Sequence, residues 1–223
     1  MGYLKWLGHA AFEAEVDGVR IFIDPWIENP MSPIKLKDID RADLILVSHD
    51  HGDHLGNAVD LAKKTGAKIV SIFDLCEAIK NKHPEVDCVD LNIGSLVEIR
   101  GLKIGLTLAF HSSLHGHPVG FIIKGKETTI YHAGDTSLFK DMELIGELYR
   151  PEIALLPIGG WYTMGPYEAA YAVKLIKPKV AIPMHYHTFP VIKGNPEEFK
   201  KYVEKLYPAA RVVILKPGEK FEF

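Results

Sequence analysis

The stretch LILVSHDHGDH, residues 44–54, joins an uninterrupted apolar run to a dense cluster of histidine and aspartate. Leu44–Val47 has no polar residue, which is typical of a strand buried on both faces. His49 and His51 follow two residues apart, so both rings can point to the same side of the chain. Gly52 then allows the backbone to turn tightly before the next acidic residue. The pattern predicts a buried strand whose end carries a polar site.

Four nitrogen and oxygen ligands fall within six residues of this segment, namely His49, His51, Asp53 and His54. Neutral imidazole and carboxylate suit zinc, manganese or iron, and strand ends in α/β folds are where ligands usually bind. A solvated polar loop is the alternative interpretation. That alternative would crowd donors and charges together with no gain in stability, so we favour a metal site.

The remainder of the chain predicts short strands in both halves, each group followed by helices. Asp17-Gly18 is typical of a hairpin turn, and Pro166 and Pro196 are placed to open helices. Strands lead and helices follow with no long linker between the halves. We therefore expect an α+β fold with a single domain that spans residues 1–223.

Later segments extend the first motif into a family pattern. The segment 48–54 resembles the His-x-His-x-Asp-His signature of the metallo-β-lactamase superfamily. AFHSS (109–113), AGDT (133–136) and IPMHY (182–186) resemble that family's later motifs, in the same order. The resemblance covers essentially the whole chain. It implies a four-layer αββα sandwich, with two mixed sheets inside and helices on the outer faces.

The resemblance also implies a dinuclear hydrolytic site with two divalent metal ions, zinc first and manganese or iron as alternatives. Three histidines would hold the first ion, a mixed set would hold the second, and one aspartate would bridge both. The sets are His49, His51 and His111 for the first ion, Asp53, His54 and His185 for the second, and Asp135 as the bridge.

Gly8-His9 resembles a segment of the subgroup that includes ascorbate-6-phosphate lactonases and N-acyl-phosphatidylethanolamine phospholipases. For His9 we weigh a contact with substrate or a metal-bound water against a purely structural role. A bridging hydroxide would attack the substrate, and Asp53 or Asp135 would take up the proton. His9, His115 or His117 would hold the oxyanion or protonate the leaving group.

Other histidines carry weaker expectations. His115 and His117 follow the ligand segment and are expected at the mouth of the cleft, with His187 of similar standing. His132 is expected to be a buried residue that supports the site, and His83 a surface residue.

Two aspartates and two loops complete the candidate site. Asp50 is expected to orient a ligand imidazole, with a solvated position as the alternative. Asp24 either supports the metal-binding loop or only forms a turn in the core. The loops 30–37 and 159–164 are expected to wall the substrate cleft.

Two functions remain open at this point. The first is a metal-dependent hydrolase that cleaves an ester, lactone or phosphodiester bond of a small-molecule substrate. The second is a metal- or ligand-binding sensor or interaction protein with a vestigial hydrolytic site. Retention of every implied ligand favours the hydrolase.

Composition excludes several other classes. The chain has 223 residues, a net charge of −3, 47% hydrophobic and 25% charged residues, and no long apolar run. We expect no nucleic-acid partner, no membrane segment and no signal peptide, and hence a cytoplasmic protein. Cys76 and Cys88 favour a reducing compartment, with Cys76 as a small buried hydrophobe. Whether the protein forms a homo-oligomer is left open by the sequence.

Overall fold

The computed structural model describes residues 2–223, and within them fourteen strands form two sheets of seven strands each. In chain order the strands are β1 (Tyr3–Trp6), β2 (Phe12–Val16), β3 (Val19–Ile23), β4 (Leu44–Leu46), β5 (Lys68–Ile72), β6 (Cys88–Leu91), β7 (Val97–Ile99), β8 (Leu102–Leu108), β9 (Val119–Lys124), β10 (Thr129–His132), β11 (Ile153–Pro157), β12 (Val180–Met184), β13 (Arg211–Val212) and β14 (Lys220–Glu222).

The helices of the described chain follow or connect these strands. They are α1 (Gly52–Leu55), α2 (Ala58–Thr65), α3 (Phe73–Lys82), α4 (Met142–Tyr149), α5 (Pro166–Ile176) and α6 (Pro196–Leu206), with a 3₁₀ turn at Leu36–Asp38. The longest of these helices have eleven residues, so no helix in residues 2–223 is long and apolar enough to cross a bilayer.

Both sheets are mixed in the same way. The first has the order β14-β1-β2-β3-β4-β5-β6 and the second β13-β12-β11-β10-β9-β8-β7. In the first sheet the pairs from β14 to β3 are antiparallel and those from β3 to β6 are parallel. In the second, β7 to β10 are antiparallel and β10 to β13 are parallel. The predicted α+β sandwich is confirmed.

Two parallel strands inside the sheets are both apolar and completely buried. Leu44–Leu46 and Ile153–Pro157 are buried at every position, as strands covered on both faces require. The sheets meet through backbone hydrogen bonds: the Val119 amide donates to the Ser48 carbonyl (3.0 Å) and the His185 amide donates to the His9 carbonyl (3.0 Å). These two bonds lie beside the predicted metal motifs, so they also fix the position of the site.

Most local predictions agree with the structure. The Asp17-Gly18 turn joins β2 to β3, and proline stands at the start of both α5 and α6. The Asn195 side chain also caps α6 by accepting a hydrogen bond from the Glu197 amide at 2.8 Å. Two short elements, α1 and β6, were not predicted. Each has only four residues, which is too few to show a hydrophobic period.

The cysteines correct one expectation. Cys76 of α3 and Cys88 of β6 form a disulfide with their Cα atoms 5.7 Å apart, and both are buried. Cys76 is buried as predicted, but it is paired and does not serve only as a small hydrophobe, and the inference of a reducing compartment loses its basis. Pairing requires a particular Cα separation, which only the packing of α3 against β6 establishes.

The disulfide should stabilise the fold without affecting the site. Replacing both cysteines by alanine is expected to lower the free energy of unfolding by about 3 kcal/mol, because the bond closes a loop of moderate length. Urea titration of wild type and variant measures the difference, and reduced wild type is the matched control. Two free thiols in unreduced, denatured wild type would contradict the prediction.

Candidate metal centre

The site lies where strands from both sheets end at one edge of the sandwich. β4 ends three residues before His49, β8 ends three residues before His111, and β12 ends directly before His185. Asp135 follows the end of β10 after a turn at Gly134, whose φ is +60°. The sequence motifs are far apart along the chain, and the sheet topology brings them together.

The helix α1 presents the last part of the first motif. His51 stands immediately before the helix with extended backbone, and Gly52–Leu55 forms a single turn. Asp53 and His54 are therefore carried on that turn. Asp53 is partly exposed, whereas His54 is fully buried. The tight turn predicted at Gly52 is the start of this helix.

All seven predicted ligand residues converge. Their donor atoms fall into three overlapping groups in which every atom lies within 4.8 Å of the others. The groups are His49, His51 and His111; His9, Asp53, His54 and His185; and His49, His54 and Asp135. The first two groups match the sets that the family resemblance implies, with His9 added to the second.

Asp135 lies at the centre of the cluster. Its Oδ1 is 3.3 Å from His54 Nε2, and its Oδ2 is 3.0 Å from His185 Nε2 and 3.5 Å from His111 Nε2. Burial alone would raise the pKa of this carboxyl, but the charges of His185 and His54 outweigh burial and hold the pKa well below its usual range. Asp135 is therefore an anion that faces residues of both implied sets.

Asp24 is hydrogen-bonded to the cluster on the side away from the solvent. Its Oδ2 accepts hydrogen bonds from His54 Nδ1 and Ser48 Oγ, each at 2.7 Å, and its Oδ1 accepts from the Ser48 amide at 2.7 Å. Burial would lower the pKa of His54, but the carboxylates of Asp135 and Asp24 outweigh burial and raise it well above its ordinary value. These hydrogen bonds show that Asp24 holds the loop that carries Ser48 and His54, which favours the supporting role over a turn alone.

Two other histidines are held neutral. Burial, together with the charge of His54, lowers the pKa of His49 to about 3. Burial, together with the charge of His185, lowers the pKa of His9 to about 4. A neutral imidazole has a lone pair for a cation, so the His49 ring is in the state that metal binding needs. The neutral His9 ring can instead donate a hydrogen bond from one nitrogen and accept one at the other.

Some buried polar atoms of the cluster have no partner with hydrogen-bond geometry among the described residues, although two of the nitrogens lie 3.0 and 3.3 Å from oxygens of Asp135. They are His54 Nε2, Asp135 Oδ1 and both ring nitrogens of His185. Native interiors satisfy nearly all such atoms. A divalent cation accepts lone pairs from imidazole and carboxylate alike, so this donor set fits a metal ion.

His9 is enclosed within the protein. Its Nε2 donates to Asp53 Oδ2 at 3.0 Å, and its Nδ1 accepts from Thr188 Oγ1 at 2.5 Å. The ring centroid lies 4.0 Å from that of His185, and the residue is fully buried with a φ of +54°. The backbone strain and the two hydrogen bonds orient this ring toward Asp53.

A cavity of about 520 Å³ opens beside the cluster. Its lining residues are His51, Asp53, His111, Ser112, Asp135, Tyr162, His185, Phe189, Pro190 and Val191. Tyr162 comes from the loop 159–164, as predicted. The loop 30–37 does not line this cavity, so that expectation is wrong. The segment 189–191 was missed, because nothing in its sequence indicates that it folds back over the site.

Asp50 and the residues after His111 also differ from expectation. Asp50 accepts hydrogen bonds from Ser113 Oγ, from the amides of Leu114 and His115, and from His115 Nδ1. It therefore anchors the loop 113–115 and does not orient a ligand imidazole. His115 is turned toward Asp50, and neither it nor His117 lines the cavity.

The remaining histidines have structural or surface positions. His132 is fully buried; its Nε2 donates to the Ala10 carbonyl at 2.9 Å and its Nδ1 accepts from the Gly134 amide at 3.1 Å. It thus links the two sheets and supports the turn before Asp135, as predicted. His187 is exposed beside the Tyr186 ring, and His83 is a partly exposed neighbour of Lys63.

Comparisons with known proteins agree with this architecture. A family model described as a β-lactamase superfamily domain matches residues 3–185. A UPF0173 metal-dependent hydrolase from Caldivirga maquilingensis is 57% identical over 220 residues, covering 98% of this chain and 97% of the relative. A UPF0173 metal-dependent hydrolase from Staphylothermus marinus is 57% identical and covers 100% of both chains.

A solved structure shows the same fold. Igni18, described as a novel metallo hydrolase from the hyperthermophilic archaeon Ignicoccus hospitalis, superimposes with a TM-score of 0.93 at 45% identity. The match covers 100% of this chain and 99% of that chain.

Proposed function

Because the chain belongs to the metal-dependent hydrolases of the β-lactamase superfamily, we propose that its clustered histidines and aspartates hold two divalent cations. The activity we propose is hydrolysis of an ester, lactone or phosphodiester bond in a small molecule. The observation that carries the proposal is the set of buried imidazole and carboxylate atoms that converge without hydrogen-bond partners in the described chain. The cavity beside them has the size of ordinary small-molecule sites.

The ligands divide between two positions. His49, His51 and His111 form the first set, and Asp53, His54 and His185 form the second. Asp135 lies against residues of both sets and is the proposed bridge. Zinc is the first choice for these ligands, with manganese and iron as alternatives. Two such cations would supply an activated water molecule and polarise the bond that is attacked.

Residues of the chain itself take up the proton and hold the accepting carboxylate in place. Asp53 is the cavity-lining carboxylate with the greater exposure, so we assign it the uptake of a proton during attack. Asp135 is buried among imidazoles, so we assign it metal binding, with proton uptake by Asp135 as the alternative to Asp53. His9 donates to Asp53 Oδ2 and so holds that carboxylate in one orientation. In this assignment His9 acts through Asp53.

Metal removal tests the proposal. We expect purified protein to contain about two divalent ions per chain, and a chelator to reduce turnover of simple lactones, p-nitrophenyl esters or bis(p-nitrophenyl) phosphate by at least about a hundredfold. Added zinc, manganese or iron should restore it. Elemental analysis and colorimetric assays make the measurements, with chelator pre-saturated with calcium as the control.

Two results would contradict the proposal. Turnover that is insensitive to chelator would remove the metal from the reaction. Bound metal with no turnover of any ester, lactone or phosphodiester would instead support a binding or sensor protein.

A further inference from the structure

The cavity has two chemically different walls. One is formed by the clustered ligand residues. The other is formed by Tyr162 and by the consecutive residues Phe189, Pro190 and Val191. None of the residues that line this cavity within the described chain is lysine or arginine. Any part of a substrate that extends away from the cluster therefore meets a largely apolar surface, in which the hydroxyl groups of Tyr162 and Ser112 are polar but uncharged, and no fixed positive charge.

The apolar wall is held in place by contacts with the site itself. The Phe189 ring stacks on Trp26, with centroids 5.6 Å apart and planes inclined by 18°. The preceding residue, Thr188, is hydrogen-bonded to His9. The backbone of the segment is closed by the His187 amide on the Ile192 carbonyl and by the Ile192 amide on the Phe189 carbonyl. The wall is thus preformed, which limits the entropy lost when a ligand binds.

An appended anionic group would be unfavourable here. The carboxylates of Asp53 and Asp135 are the charged side chains of the lining other than histidine, and the far wall has no cationic side chain to pair with a phosphate or carboxylate. The hydroxyl groups of Tyr162 and Ser112 are uncharged donors and do not neutralise such a group. A charge moved from water onto an apolar wall without a partner is strongly disfavoured. Burial of an alkyl or aryl group against the same wall makes the free energy of binding more favourable, in proportion to the apolar area that is buried.

On the basis of the proposed function, we propose that the substrate is an ester or lactone whose group beside the scissile bond is apolar and uncharged, and packs against Phe189, Val191 and Tyr162. Hydrolysis breaks the acyl carbon–oxygen bond; water gives its hydroxyl to the acyl carbon and its remaining proton to the leaving oxygen. Esters and lactones that carry an anionic group, such as a sugar phosphate lactone, are outside this class.

Matched esters test the turnover side of this inference. For p-nitrophenyl acetate, butyrate and hexanoate we expect kcat/KM to rise about fourfold per added methylene. The mono-p-nitrophenyl ester of adipic acid has the six-carbon chain with a terminal carboxylate, and we expect it to react at least about tenfold more slowly than the hexanoate. Equal rates for these two six-carbon esters, or rates independent of chain length, would overturn the inference.

A variant locates the effect on the wall. Val191→Ser should reduce the ratio of hexanoate to acetate kcat/KM by at least about threefold. Val97→Ser is the matched control, because Val97 has nearly the same exposure, 40% against 38%, but lies on β7 away from the cavity. An unchanged ratio in Val191→Ser would show that the alkyl group of the ester binds elsewhere on the protein.

Binding of uncleaved probes separates this inference from the proposed function. We expect the Kd of hexanamide, measured by NMR titration, to be about fifteenfold lower than that of butanamide. The monoamide of adipic acid should bind more weakly than hexanamide. If the amides follow this order but no ester is hydrolysed, the proposed function fails and the inference stands. If esters are hydrolysed but hexanamide and butanamide bind with equal Kd, the inference fails and the proposed function stands.

Discussion

Asp135→Asn is expected to remove at least one of the two divalent ions that we propose for each chain, and to lower kcat/KM by about a thousandfold. Asp135 is buried and lies within 3.5 Å of His54, His111 and His185. Asparagine keeps the size of the side chain but loses the negative charge that offsets two cations. Charge stabilisation at metal sites is worth several kcal/mol, and each 1.36 kcal/mol corresponds to a tenfold change in rate.

Elemental analysis and kinetics on the same preparation measure this effect. Asp60→Asn is the matched control, because Asp60 is an exposed aspartate on α2 and should leave metal content and rate unchanged. A circular dichroism melt checks that the Asp135 variant is folded. A folded variant with full metal content and wild-type turnover would refute the assignment of Asp135 as the bridge.

Asp24→Asn is expected to weaken metal affinity by about ten- to a hundredfold. The positive φ of Asp24, +44°, is tolerated by asparagine, so the backbone should be retained. One oxygen, however, becomes an amide nitrogen. It can no longer accept from His54 Nδ1 or Ser48 Oγ if the other oxygen keeps the Ser48 amide. His54 then loses the acceptor that fixes its tautomer and its orientation toward Asp135.

Titration against a chelating dye measures the affinity, and kcat at saturating metal separates positioning from chemistry. We expect kcat to recover substantially when metal is in excess, because Asp24 lies behind the site and does not line the cavity. Asp43→Asn is the control, since it breaks comparable hydrogen bonds to Arg20 and Arg41 on another surface. Unchanged metal affinity in Asp24→Asn would contradict the role assigned to Asp24.

The predictable part of the fold is the part encoded by local pattern. Continuous apolar runs such as Leu44–Leu46 became buried parallel strands, and proline at positions 166 and 196 marked the first turns of α5 and α6. These signals act over a few residues, and no contact with distant parts of the chain is needed to read them. The four-residue elements α1 and β6 escaped prediction, because neither is long enough to show a hydrophobic period.

The candidate site divides in the same manner. The first motif places His49, His51, Asp53 and His54 within one strand end and one helical turn, so their proximity follows from the chain itself. The later ligands His111, Asp135 and His185 could be named only through the resemblance to a known family. Their convergence is a property of the sheet order and of the backbone bonds between the sheets.

The sequence by itself determined the chemistry that is available, namely imidazole and carboxylate donors at strand ends in an α+β chain. Only the tertiary structure decided which groups meet. The bond from His9 to Thr188 spans 179 positions, the bond from Asp24 to His54 spans 30, and Asp50 binds the loop 113–115 instead of a ligand. The apolar wall at 189–191 and the Cys76–Cys88 disulfide have the same origin. Such contacts depend on distances set by the packing of entire sheets and helices, and local sequence carries no record of those distances.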